Sequence, residues 1–182
     1  MRFTLPLVAF ISSLTIAAEN TDWPNYANDP GSSKFAALDH ISASNVQNLG
    51  VAWSWDSPDN LLVKNDRKLT PWGFKSTPIK IGKTLYISTS LGHVAAISAD
   101  KGKTIWTFDT KTYADGRPTN LGFNHRGVAY WSGNNQETII MPTNNGYLWA
   151  IDAKTGKALK QFGRDGRIDL TQGLGRPVNR KL

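Results

Sequence analysis

The chain has 182 residues, with 21 lysines and arginines against 14 acids for a formal net charge of +7, and it carries seven tryptophans and no cysteine. Disulfides, thiolate metal sites and cysteine nucleophiles are therefore excluded, and stability has to come from packing. The basic balance raises nucleic acid as a partner, but Lys154, Lys157, Lys160, Arg164, Arg167, Arg176, Arg180 and Lys181 are spaced by turns and glycines. That spacing argues against a nucleic-acid surface and for a solvated face or an anionic small-molecule site.

Residues 1–18 combine Arg2, an apolar stretch from Leu5 and the small residues Ala17 and Ala18. This is the pattern of a secretory signal peptide, cleaved after Ala18, and its apolar run is short for a membrane span. The mature chain, 19–182, has no low-complexity linker and reads as one unit outside the cytoplasm.

Next come residues 45–53, a β-type run ending in Trp53. Trp53 precedes Trp106 by 53 residues, which suits either a weak early repeat or two unrelated core tryptophans. The strong repeat follows. Residues 84–108 (TLYISTSLGHVAAISADKGKTIWTF) align without a gap on residues 138–162 (TIIMPTNNGYLWAIDAKTGKALKQF), an offset of 54. Thr89/Thr143, Gly92/Gly146, Ala99/Ala153, Gly102/Gly156, Lys103/Lys157 and Phe108/Phe162 coincide. A fixed offset of this size marks a supersecondary unit that buries its faces against copies of itself. Each copy alternates short β-rich runs with turn chemistry, no long stretch has helical periodicity, and further apolar runs lie at 126–131 and 138–141. The fold expected is all-β: a partial β-propeller with about two to three four-stranded blades. Lys160 stands where the first copy has Trp106, so one tryptophan contact between blades should be lost there.

Familiar site patterns fail. Gly82-Lys83-Thr84 and Gly102-Lys103-Thr104 lack the upstream glycine of a phosphate loop and fall at hairpin turns. Gly173-Leu174-Gly175-Arg176 reads as a loop. His40, His93 and His125 lack a metal-ligand spacing, and no nucleophile elbow is present. The informative stretch is 122–131, GFNHRGVAYW, where His125 and Arg126 enter an apolar run. A buried guanidinium there needs an anionic partner, and an exposed one needs nothing.

The run NHRGVAYW, the Ala-x-Asp/Ser-Ala-x-x-Gly-Lys repeats, the opening Asp22-Trp23-Pro24-Asn25-Tyr26 with residues 41–53, and the tail 162–170 followed by 171–176 closely resemble the pyrroloquinoline quinone (PQQ) dehydrogenases of the glucose and alcohol type. The resemblance covers essentially the whole mature chain. It implies an eight-bladed periplasmic propeller that holds PQQ and calcium and oxidises a sugar or alcohol hydroxyl by hydride transfer to PQQ. Electrons would then leave to a quinone or a soluble acceptor. It implies that Arg126 binds a PQQ carboxylate and that His125 lies near the quinone plane. Lys75, three residues before Pro78, stands where some members place a glutamate beside PQQ. The adjacent cysteines of the alcohol-type members are missing, which favours the glucose-like branch. The calcium ligands and the catalytic base of the family lie further along than this sequence reaches, so the chain is expected to be an inactive N-terminal portion, completed by remaining blades or self-associating through open sheet edges. The alternative is a non-enzymatic PQQ-like repeat scaffold.

Overall fold

The computed structural model describes residues 22–119 and 121–178; the signal peptide expected at 1–18 lies outside them. Two four-stranded antiparallel sheets follow one another in chain order, each a simple meander. Blade one comprises β1 (Ile79–Ile81), β2 (Thr84–Ser88), β3 (His93–Ser98) and β4 (Thr104–Asp109). Blade two comprises β5 (Ala129–Gly133), β6 (Gln136–Pro142), β7 (Tyr147–Asp152) and β8 (Arg167–Asp169). The α-helix α1 (Asp59–Asn65) precedes blade one, and a 3-10 turn, Thr112–Asp115, joins the blades.

Strand alternation decides which side chains meet. Successive residues of a strand point to opposite faces, so Tyr86, Val94 and Ala96 leave blade one on one side and pack with Ile139, Met141, Ile151 and Ala153 of blade two. The other face of blade one carries Leu85, Ile87, Ala95 and Ile97 and is covered by Trp55. Rings close the seam between blades: Phe108 meets Trp149 edge-on at 5.1 Å, and the Tyr86 hydroxyl donates to the Ala153 carbonyl at 3.1 Å.

The repeated alanine and glycine of the turn after the third strand have one job in both copies. The Trp106 indole lies over Gly156 and donates from Nε1 to the Ala153 carbonyl at 3.0 Å. The Trp53 indole lies over Gly102 and donates to the Ala99 carbonyl at 3.2 Å. A β-carbon on either glycine would run into the ring, and both have positive φ, so glycine is required twice over. The 53-residue spacing of Trp53 and Trp106 is therefore a repeated contact. Trp53 is nonetheless not in a strand, because the extended segment around it has no ladder partner among the described residues.

The gapless alignment fails in the fourth strand. Ala158 bridges Ile151 as Thr104 pairs with Ile97, so the offset of 54 still holds there. Beyond it the ladder resumes only at β8, where Ile168 opposes Leu148 and Asp169 opposes Tyr147, as Phe108 opposes Val94 and Asp109 opposes His93. Asp109 to Asp169 is 60 residues, so six extra residues interrupt the strand, and the counterpart of Phe108 is Ile168 and not Phe162. Turn chemistry is the cause. Gly163, Asp165 and Gly166 all adopt positive φ, and Arg164 and Arg167 exchange backbone hydrogen bonds across a tight turn that no strand could contain.

Candidate functional site

The sequence-derived candidates gather at the end of the blades that holds the β2–β3 turn. Lys75 sits in the loop before β1. That loop is tied down by Ser90 Oγ donating to the Gly73 carbonyl at 2.9 Å and by a 2.9 Å hydrogen bond between the Ser76 and Ser88 hydroxyls. The segment before β5 runs beside it, with the Thr77 N–H donating to the Arg126 carbonyl at 3.1 Å. Two loops, joined at residues 49 apart, are thereby held together. Lys75 and Arg126 line one cavity of about 510 Å³ with Tyr26, Thr77, Val128 and Pro142. Both cations are exposed, and the ion pairs among the described residues include neither.

His125 takes the opposite course. It is only 7% exposed, does not line that cavity, and places Nε2 3.4 Å from where a β-carbon of Gly92 would stand. Burial depresses its basicity to a pKa of about 4, against a smaller opposing pull from the Asp59 carboxylate, so the ring is neutral at neutral pH. Its Nε2, like Thr112 Oγ1 and Asn124 Oδ1, is buried without a hydrogen-bond partner. Of the three candidates, the fold thus brings together Lys75 and Arg126 and sets His125 beneath the β2–β3 turn. Arg126 lies three residues ahead of β5, outside the strand.

Sequence reasoning missed the acids that hold this end. Asp59 of α1, 4% exposed, accepts from Thr89 Oγ1 at 2.7 Å and from the Leu91 N–H at 2.9 Å, and its Oδ1 lies 2.9 Å from His93 Nδ1. The His93 ring is flanked on its other side by Asp109 at 3.7 Å and stacks on Tyr113. In the second repeat, Asp115 accepts from Asn145 Nδ2 at 2.5 Å, and Asn145 Oδ1 accepts from Thr143 Oγ1 at 2.6 Å. Thr89 and Thr143 are repeat partners, and Asp59 and Asp115 stand 56 residues apart, close to the period. That near-coincidence was the available signal. Each blade is clasped by an acid from the short helical segment before it.

Two meandering blades joined face to face, with a pair of free cations at one end, define a segment of a β-propeller whose rim suits an anionic ligand. Comparison with known proteins gives the family. A family model described as the glucose/ethanol/alcohol dehydrogenase β-propeller domain, PQQ type, matches residues 23–182. The chain is 31% identical over 173 residues to quinoprotein glucose dehydrogenase A of Acinetobacter calcoaceticus, covering 84% of this chain and 21% of that protein. It is 33% identical over 147 residues to the quinohemoprotein alcohol dehydrogenase of Comamonas testosteroni, covering 78% and 18%. The crystal structure of that Comamonas enzyme superposes with a TM-score of 0.64 at 30% identity, over 86% of this chain and 20% of its own. The chain belongs to the PQQ-dependent quinoprotein dehydrogenase family and is a partial propeller of that fold. It spans about a fifth of the length of these relatives.

The residues present fit one cofactor of that family better than the other. A cavity with two free cations matches a tricarboxylate such as PQQ. For calcium, no three acidic or histidine side chains group as a metal site among the described residues, so no step is assigned to it here.

Proposed function

We propose that this chain supplies the first blades and a carboxylate anchor of a periplasmic PQQ-dependent dehydrogenase that oxidises a sugar or alcohol hydroxyl. The single observation that carries this reading is the convergence of Lys75 and Arg126 on one cavity within the segment matched to the family. When bound, PQQ supplies the two-electron acceptor for the hydrogen on the hydroxyl-bearing carbon. The chain's own residues do the holding. Arg126 would hold one PQQ carboxylate, and Lys75 would add a second cation. His125, neutral and buried, seats the loop carrying Arg126 beside the Gly92 turn, while the Arg126 side chain itself stays exposed at the cavity.

Calcium ligands, the catalytic base and the acceptor of the electrons are assigned to parts of the complete enzyme that these residues do not include. The lack of adjacent cysteines favours a sugar over a simple alcohol as substrate. Identities of 31% to a glucose enzyme and 33% to an alcohol enzyme are too close to add weight to either side. The test is to add PQQ and calcium to the purified chain and follow dye reduction with glucose and with ethanol. PQQ should bind without turnover. Sustained turnover would overturn the assignment of the base and calcium site to further blades, and absence of PQQ binding would overturn the anchor.

A further inference from the structure

A second cavity, of about 350 Å³, is formed by Trp72, Arg117, Pro118, Thr119, Leu121 and Gly122. We infer that it is a subsite for a small hydroxylated ring bearing a carboxylate, a sugar acid in chemical class, on the substrate side of the site proposed above. The inference rests on that reading for its role, though not for its chemistry.

Three observations on the cavity itself point to such a ligand. The Arg117 guanidinium lies directly on the backbone of Gly122: a β-carbon there would stand 3.0 Å from Nε and 3.2 Å from Nη2, and Gly122 has a φ of +62°. The bare backbone of Gly122 leaves room for the guanidinium there, and Arg117 itself is exposed. The ion pairs among the described residues leave Arg117 out, and the nearby Asp115 is occupied by Asn145. An exposed guanidinium with no acid is open to a bidentate carboxylate contact. Finally, Trp72 is 70% exposed, an unusual amount of indole to leave in water, and it forms the cavity's apolar wall. An indole face takes the C–H face of a saturated ring at little entropic loss, since only two torsions are fixed.

The position is what makes this a subsite. Lys75, which lines the first cavity, places Nζ 6.0 Å from the ring of Trp72, which lines the second, so a ligand on Trp72 is one side chain from the proposed cofactor anchor. A neutral sugar could use the indole alone. A ring acid uses the indole and Arg117 together.

The test compares D-glucuronate with D-glucose, the same ring with and without a carboxylate, by isothermal titration into the purified chain without PQQ. Glucuronate should bind at least tenfold more tightly than glucose. Arg117→Gln should abolish the preference, Arg117→Lys should retain part of it, and Trp72→Ala should weaken both sugars. Both Arg117 variants should keep the wild-type circular dichroism and wild-type PQQ binding. Equal affinity for the two sugars, binding of neither, or a preference unchanged in Arg117→Gln overturns the subsite. Loss of PQQ binding by the wild-type chain would instead overturn the cofactor anchor, so the two failures are distinguishable.

Discussion

Blade one and blade two begin from the same 25-residue pattern and end in different surroundings. On blade one, Leu85, Ile87 and Ile97 are covered by Trp55, Gly102 is capped by Trp53, and the opposite face is filled by blade two. On blade two, Ile140, Ala150, Leu159 and Phe162 line an apolar cavity of about 650 Å³, and Trp131 and Ile168 stay 49% and 39% exposed. The difference shows how the repeat works. Each joint has a receiving half, the alanine carbonyl and glycine of the turn, and a donating half, a tryptophan from the preceding unit. Blade two owns the receiving half and uses it. Its donating position is interrupted by the six-residue excursion that begins at Lys160, and Gly166 faces Ala150 there as Trp106 faces Ala96.

The comparison predicts a graded series of effects. The largest belongs to Trp106→Ala, which removes the ring over Gly156, the indole hydrogen bond and the contact with Tyr86. About 3–5 kcal/mol should be lost in denaturant unfolding. Trp53→Ala should lose less, because no ladder-bonded strand stands behind Trp53. An equal loss would mean that the segment around Trp53 is as cohesive as a blade.

The next effect is in pH. His125 has a folded pKa of about 4 against an ordinary value of 6.5, so below pH 6.5 the unfolded chain takes up a proton that the folded chain refuses. The contribution is fully present above pH 6.5 and is lost as pH falls toward 4, to a total of about 3 kcal/mol. Unfolding free energies measured across that window should slope accordingly, and His125→Asn should flatten the slope.

The acid clasps come third. Asp59→Ala leaves Thr89, His93 and the Leu91 N–H without their buried acceptor and should destabilise by about 1–3 kcal/mol. Asp115→Ala, at a more exposed site, should lose about 1 kcal/mol. The reverse order would mean that the two clasps are not equivalent in the way the repeat suggests. Smallest of all, Lys160→Trp should change stability by no more than about 0.5 kcal/mol, since Lys160 is exposed and lies outside the strand ladder. A large gain would reveal a partner for that face.

Much of this fold was legible in the residues. The 54-residue offset, the turn glycines and the strand runs give two blades because period-two alternation and positive-φ turns are local properties. The interruption at 160–165 was hidden, since a chance coincidence of Phe108 with Phe162 kept the alignment gapless through a turn that Gly163 and Asp165 dictate. At the candidate site, family likeness singled out Lys75 and Arg126, but the cavity they share depends on the Thr77–Arg126 backbone bond between residues 49 apart. Asp59, Arg117 and Trp72 were missed for the same reason: no local pattern marks them, and each gains meaning only from a residue distant in sequence or, for Arg117, from the bare backbone of Gly122.

The central claim is that Arg126 is the carboxylate anchor of the rim cavity. Spectroscopic titration of the purified chain with PQQ tests it most directly, with wild type beside Arg126→Ala and Lys75→Ala. The account predicts saturable binding, a loss of at least tenfold in Arg126→Ala, equivalent to about 1.4 kcal/mol, and a smaller loss in Lys75→Ala. Binding by Arg126→Ala as tight as wild type would contradict it.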